Sequence, residues 1–486
     1  MSKKYVLQLS SKYKVEVDTA RFQVRSGLAG VLDIANLLTP ALWYLFLYLL
    51  FPAAHFLGMA DAGGAHLLWL YGFVVSLLFL QIIKRLISKS DYLPTVPYDL
   101  LLLTFTSLVA ISLFISVLST EQTFSIWGGK NLRVISGLSI IVLWFLYYLT
   151  NIFARNSVLF SRTVHFFAWS PVVAVVVNLL ANVPYYQGIA MPMMVMAPAW
   201  LWLVLSKTSG KFVYALNLLL SLVMLAELKD GLSVFIFTAS ILVAGVLVFV
   251  ANYKGIGKLF SNLNKGVNKL ISRKATLSGF LNDNDYALYI LLTALTVVAG
   301  ALWMLSNSDQ QIFTGLTNGI ELLDLGSGVR TILFGNGLTL LGGSFVLQFL
   351  HSYGVLSSIV IVIFLVWVFK DLITQFFRQK GSEQRGVILF VLTFLTTSLI
   401  TFIVSVGSDL HFILFWLFLG FAGVLKSVYV QKTKLALKND VNKFNKLKNS
   451  TMGIGLQYAR IAIILLLVLC VFYFWSLLQL IQGFIS

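Results

Sequence analysis

Two arginines stand in polar segments between long apolar runs. Arg133 lies in 119–136, which reads STEQTFSIWGGKNLRVIS, and Arg330 lies in 306–351. A guanidinium makes paired, charge-assisted hydrogen bonds to phosphate. We therefore expect both side chains to bind a phosphorylated group and to stabilise charge that develops on a leaving oxygen. The alternative, in which each arginine is a solvated charge paired with a nearby carboxylate, stays open.

Two histidines near these segments have the chemistry of a general acid or base. His351 ends the 306–351 segment, and His411 follows Asp409 in a short turn between two apolar runs. Imidazole titrates near neutral pH, so it can accept the proton of an attacking hydroxyl. We rank His351 first and expect His411 to contribute to substrate binding. Histidines also occur at membrane interfaces without a catalytic role.

Five further residues around the two segments could hold a sugar chain. Aromatic rings stack on sugars, although aromatic residues also line membrane interfaces for structural reasons. In the first segment, Lys130 adds a second cation to Arg133. In the second segment, a Gly-Asn-Gly turn follows Arg330. The candidate binding residues are Trp127, Lys130, Gly335, Gly337 and Tyr353.

The composition determines which elements must position these residues. Hydrophobic residues make up 59% of the chain and charged residues 11%, whereas a soluble chain carries about 25% charged residues. The sequence therefore predicts an all-α polytopic membrane protein, because a spanning helix needs about 20 mainly apolar residues. About thirteen runs qualify: 35–58, 66–83, 98–118, 137–153, 163–181, 189–205, 212–226, 231–251, 285–305, 352–369, 386–407, 411–425 and 461–483.

The basic residues predict how these spans are oriented. With a cytoplasmic N-terminus, all but four of the 35 Lys and Arg residues fall on the cytoplasmic side; the exceptions are Lys130, Arg133, Lys229 and Arg330. This distribution is the one that the positive-inside rule describes, so we expect the cytoplasmic (inner) membrane. Contact with anionic lipids at the cytoplasmic face accounts for the net charge of +17 without nucleic acid.

The predicted spans and their orientation divide the chain into four parts. Residues 1–34 form a cytoplasmic N-terminal segment, and 35–425 form a transmembrane bundle with external loops 119–136 and 306–351. Within the second loop, an apolar repeat predicts a surface helix over 311–325. Residues 426–460 form a cytoplasmic, amphipathic basic segment that lies on the membrane, and 461–486 contain the final transmembrane helix.

Several function classes are excluded by absent motifs. The sequence has no Gly-rich phosphate loop ending in Lys-Ser/Thr, no His-Glu-x-x-His and no Gly-x-Ser-x-Gly. The single cysteine, Cys470, rules out an intrachain disulfide framework. The spans contain essentially no charged residues, which argues against an ion-coupled carrier. We expect neither a metal nor a cofactor.

Two motifs carry a family resemblance. The external Arg330, the Gly-Asn-Gly turn and Leu347-Gln348 with a following glycine resemble the O-antigen ligase and O-antigen polymerase superfamily. Trp127-Gly128-Gly129, Arg133 and Gly137 are similar to an element of its ligase-like members. One position differs, because Gly343-Ser344 stands where the family has His-Asn.

The resemblance implies a fold and a reaction. The fold is a glycosyltransferase-C-like bundle with a long external loop. The reaction is inverting, metal-independent transfer of a glycan from an undecaprenyl-pyrophosphate-type lipid carrier to a glycan, lipid or protein acceptor, with His351, Arg330 and Arg133 as catalytic residues. Two alternatives stay open: a flippase for lipid-linked oligosaccharides or polysaccharides, and a non-catalytic membrane subunit of the same fold.

Overall fold

A computed structural model describes eight long helices of this chain, and the described residues contain no strand. Outside these helices it describes the turn 96–98, Ser344 and helical positions within 35–47, 197–201, 294–300 and 332–333. The helices are α1 (Ala62–Ser88), α2 (Asp99–Ser119), α3 (Gly137–Phe153), α4 (Lys211–Leu228), α5 (Gly231–Asn252), α6 (Phe345–Arg378), α7 (Ser382–Val404) and α8 (Asp409–Ala436).

The long apolar runs fold as the predicted helices. Helices α2, α3 and α5 lie within a residue or so of the runs 98–118, 137–153 and 231–251. The remaining predicted spans at 163–181, 189–205, 285–305 and 461–483 lie wholly or largely outside the described residues, as does the surface helix predicted over 311–325.

Several helices are longer than their apolar runs, and α6 and α8 extend furthest beyond them. Helix α6 begins at Phe345, so residues 345–351 of the predicted external loop are helical. Helix α8 continues to Ala436, so the predicted cytoplasmic segment begins as part of a helix. A hydropathy window ends where polar residues begin, whereas Gln, Lys and Ser do not interrupt a helical hydrogen-bond ladder.

The starts of α2 and α6 are fixed by local hydrogen bonds. The Leu102 amide donates to the Tyr98 carbonyl at 3.1 Å, and the Gln348 amide donates to the Ser344 carbonyl at 3.0 Å. Asp99 lies in the first turn of α2, where a negative charge interacts favourably with the helix dipole.

Two glycines allow α3 and α8 to approach closely. A Cβ atom on Gly423 would lie 2.5 Å from Oδ1 of Asn151 and 2.7 Å from the Tyr147 hydroxyl. A Cβ atom on Gly420 would lie 2.7 Å from the Thr150 Cβ. Small residues at such positions are typical of helix pairs whose backbones pack closely, as in membranes.

We predict that Gly423→Ala lowers the free energy of unfolding by about 1–3 kcal/mol, the usual cost of an extra methyl group in a packed interface. Denaturant or thermal unfolding of the full chain in detergent measures the change. Ala215→Val is the matched control, because it adds side-chain volume on an outward-facing position of α4. Equal stability of the Gly423→Ala variant and the control would contradict close packing of α3 on α8.

The bundle has two ends with different chemistry. The "Ser344 end" contains Ser344, Phe402 and His411, and its bonds are between neutral groups. The "Tyr98 end" contains Tyr98, Asp371 and Lys426, and it holds an ion pair. Between the two ends, α1 packs on α3, α2 on α6, and α7 on both α6 and α8.

Among the described residues, two helices have the length and apolar composition to cross a membrane: Phe345–Phe377 of α6 and Arg385–Ile403 of α7. Only 33% of the apolar window in α6 is buried. An outward-facing stripe runs along this helix at intervals of three to four residues, with side chains between 41% and 57% exposed. These residues are Ile359, Val362, Ile363, Val366 and Trp367.

Candidate functional site

The Ser344 end is built where the start of α6 meets the end of α7 and the start of α8. The Ser344 hydroxyl donates to the Phe402 carbonyl at 3.1 Å. The Phe345 ring packs against the rings of Phe402 and Phe412, with centroids 5.0 and 4.6 Å away. Because α7 begins only four residues after α6 ends and its last residues contact the start of α6, the two helices are antiparallel.

Helix α6 is broken at Gly354, near this end. Gly354 has φ 75° and ψ 177°, a backbone conformation that essentially only glycine adopts. We call 345–353 the amino-terminal segment of α6 and 355–378 its carboxy-terminal segment. Two carbonyls beside the break accept side-chain hydrogen bonds: Ser112 of α2 donates to Ser352 at 3.4 Å, and Ser358 donates to Gly354 at 2.8 Å.

Gln348 is the most unusual side chain of the amino-terminal segment. It is 2% exposed, yet neither its amide oxygen nor its amide nitrogen has a hydrogen-bond partner within the described part of the chain. The Ser352 hydroxyl, one turn further on, is also buried without a partner there. A buried polar group left unpaired costs about 1–3 kcal/mol, so two on one helical segment call for an explanation such as a bound ligand.

The antiparallel packing sets the level of Gln348 in the bundle. Ser344 contacts Phe402, so Gln348, one turn along α6, lies level with Ser398, one turn back along α7. Ser398 Oγ and His411 Nε2 are hydrogen-bonded at 2.8 Å. Three polar side chains, one each from α6, α7 and α8, therefore lie in this part of the bundle.

His411 is a buried core residue in this structure. Its side chain is fully enclosed and lies against the rings of Phe394 and Phe402, with centroids 5.9 and 5.1 Å away. A substrate could contact His411 only if the helices moved apart. The hydrogen bond to Ser398 gives the imidazole a structural role at the α7–α8 interface.

Tyr353 and His351 differ in exposure although they are near neighbours on α6. Tyr353 is fully buried, and its ring packs against Phe349 with centroids 5.0 Å apart. It is therefore not available to stack on a sugar in this conformation. His351 is half-buried, so it remains the histidine of the two that a substrate could reach.

Most of the predicted site residues lie outside the described part of the chain. His351 and Tyr353 are brought together on the amino-terminal segment of α6, and His411 lies across the Ser344 end on α8. The following lie outside the described residues: Arg133, Arg330, Trp127, Lys130, Gly335 and Gly337.

Sequence reasoning gave no role to Ser398 and used Gln348 only as part of the Leu-Gln motif. A polar residue inside a long apolar run is a signal that could have pointed to Ser398, since the membrane interior tolerates polar groups mainly where they have a task. The apolar pattern of α6 is continuous through Gly354, so it gave no sign of the break.

The arrangement can bind a neutral polyhydroxylated group. An amide side chain both donates and accepts a hydrogen bond, so Gln348 can contact two adjacent hydroxyls at once. Within the described part of the chain, no group of three or more His, Cys, Asp or Glu residues could hold a metal ion.

Comparison with known proteins adds no relative: the chain matches no family model, no curated protein and no solved structure.

Proposed function

We propose that the chain is a multi-pass protein of the cytoplasmic membrane, with a cytoplasmic N-terminus and the Ser344 end at the outer face. The proposal is supported by the outward-facing apolar stripe on α6. An apolar surface of this kind would be costly in water, whereas hydrocarbon of the bilayer solvates it without loss.

The contacts between helices support the same alternation of the spans. Ser344 and Phe402, which are hydrogen-bonded, are both assigned to the outer side by the count of basic residues. Tyr98 and Asp371, which are also hydrogen-bonded, are both assigned to the cytoplasmic side. An incorrect alternation of the spans would pair outer residues with cytoplasmic ones.

At the outer face, the protein transfers a glycan from an undecaprenyl-pyrophosphate-type carrier to a glycan, lipid or protein acceptor. The observation that carries this proposal is the buried amide of Gln348, which has no described partner and lies one turn from the half-buried His351. Gln348 also belongs to the Leu-Gln motif that resembles the O-antigen ligase and polymerase superfamily.

The proposed step is a direct displacement. The acceptor hydroxyl oxygen bonds to the anomeric carbon while the bond from that carbon to the pyrophosphate oxygen breaks. His351 takes the hydroxyl proton, and the carrier pyrophosphate leaves with the bonding electron pair. Arg133 and Arg330 stabilise the charge on the leaving pyrophosphate, so no metal is needed.

Loss of the protein should cause a glycan linked to undecaprenyl pyrophosphate to accumulate in the outer leaflet of the membrane. The purified full-length protein in vesicles should release undecaprenyl pyrophosphate from that material only when the acceptor is present. Mass spectrometry of extracted lipids measures both amounts, and the accessibility of the glycan to a membrane-impermeant lectin in intact spheroplasts shows the leaflet.

The leaflet in which the lipid-linked glycan accumulates distinguishes a glycosyltransferase from a flippase. Accumulation in the inner leaflet would show that the protein moves the carrier across the membrane and would overturn the transferase assignment. Normal lipid-linked glycan levels in cells without the protein would overturn both activities.

A further inference from the structure

The two segments of α6 are attached to the bundle by different kinds of contact. In the carboxy-terminal segment, Asp371 accepts a hydrogen bond from Tyr98 of α2 and forms an ion pair with Lys426 of α8 at 2.7 Å. The Lys426 ammonium also lies 3.9 Å from the centre of the Tyr98 ring. Three helices are thus joined by charged and cation–π contacts.

Neighbouring contacts reinforce this attachment. The Tyr147 hydroxyl of α3 donates to the Pro97 carbonyl at 2.6 Å, which fixes the turn that carries Tyr98. Phe364 packs edge-on against the rings of both tyrosines, with centroids 5.7 Å from Tyr98 and 6.0 Å from Tyr147. The carboxy-terminal segment is therefore held from several sides.

The described contacts of the amino-terminal segment are between neutral groups. The rings of Phe345 and Phe349 pack against rings of α2, α7 and α8, and the Ser352 carbonyl accepts the long bond from Ser112 at 3.4 Å. Lipid can replace apolar contacts of this kind in a membrane, whereas it cannot replace charged ones. The interface also encloses Gln348 and Ser352, whose side-chain polar atoms have no partner among the described residues. Closing this segment against the bundle therefore costs free energy, because the polar atoms of Gln348 and Ser352 are left without hydrogen bonds. Opening would remove this cost, because water or a ligand could then form those bonds.

We propose that the amino-terminal segment of α6 is a hinged cover that pivots at Gly354 and exposes Gln348 and Ser352 to a polyhydroxylated ligand, a sugar of the glycan substrate. Gly354 lies where a pivot needs it, between the segment that is held by charged contacts and the segment that is held by neutral ones. The identity of the ligand rests on the proposed function, whereas the hinge is a property of the helix and can be tested without substrate.

Thiol labelling tests the hinge on the full chain in intact cells, with Cys470→Ala as the background. A membrane-impermeant maleimide should label a Gln348→Cys variant at about 0.1–10% of the rate of an exposed site, as expected for a minor open state. Asn318→Cys in the predicted external loop provides the exposed reference, and Asn262→Cys on the cytoplasmic side should not be labelled.

Two cross-links then distinguish hinge motion from movement of the whole helix. Replacing Phe345 and Phe412 by cysteine and joining them with a short bifunctional thiol reagent ties the amino-terminal segment to α8. The matched pair, Tyr147 and Phe364, ties the carboxy-terminal segment to α3 and leaves the contacts of Asp371 in place. The first cross-link should slow labelling of Gln348→Cys by at least about tenfold, whereas the second should leave its rate unchanged.

A second variant keeps the test decisive if a cross-linked protein fails to fold. Gly354→Ala disfavours the backbone conformation that the break has in the closed state and should therefore raise the labelling rate of Gln348→Cys. The hinge is overturned if Gln348→Cys is never labelled, if the first cross-link has no effect, or if the second slows labelling equally. If labelling behaves as expected while lipid-linked glycans remain normal in cells without the protein, the hinge stands and the proposed function fails.

Discussion

Replacing Arg330 or Arg133 with alanine should reduce glycan transfer about 100- to 1,000-fold, while expression and membrane insertion stay normal. The expected size follows from removing one fixed donor aimed at developing charge, which typically raises the barrier by about 3–4 kcal/mol. The rate of release of undecaprenyl pyrophosphate by the purified variants measures the effect.

Lysine at either position should restore only part of this loss. A lysine supplies the charge but cannot make the paired hydrogen bonds of a guanidinium to phosphate. Lys229→Ala is the matched control, because Lys229 is a cation predicted to be external and to lie outside both long loops, and its loss should be silent. Full rescue by lysine, or an arginine variant as active as the Lys229→Ala control, would contradict a catalytic role for that arginine.

Much of the helical organisation could be predicted because it depends on local sequence. Apolar runs such as 137–153 and 231–251 fold as helices with nearly the same bounds, since a long run without proline or charge has few other ways to satisfy its backbone. The same reasoning could not find the close approach of α8 to α3. In the sequence, Gly423 is one small residue among many, and its importance arises only from the side chains that face it.

The candidate site was harder to predict because its features are tertiary. Tyr98 and Asp371 lie 273 residues apart, so no periodicity indicates that they meet. Likewise, the sequence favours His411 as a surface residue because it follows a turn, whereas packing of α7 against α8 buries it beside Ser398. Exposure depends on which neighbours cover a residue, and the sequence pattern near His411 carries no such information.

The substitution Gln348→Met should raise the stability of the protein and lower its rate of glycan transfer. Methionine has nearly the same length and volume as glutamine, so the packing of α6 changes little. It removes a buried amide whose two polar atoms have no partner within the described residues, and relief of that cost should raise the free energy of unfolding by about 1–3 kcal/mol. Loss of the hydrogen bonds that the amide would make to the glycan should at the same time slow transfer about tenfold to a hundredfold.

The opposite signs of these two changes make the prediction specific. Unfolding of the variant in detergent and its rate of undecaprenyl pyrophosphate release give the two quantities independently. Gln375→Met is the matched control, because Gln375 is a buried glutamine on the same helix beyond the break at Gly354, and its loss should not affect transfer. A less stable Gln348→Met variant would show that the amide has a structural partner. A stabilised variant with undiminished transfer would show that no substrate contacts Gln348, because a polar group kept in the core at a cost in stability is expected only where it contributes to function.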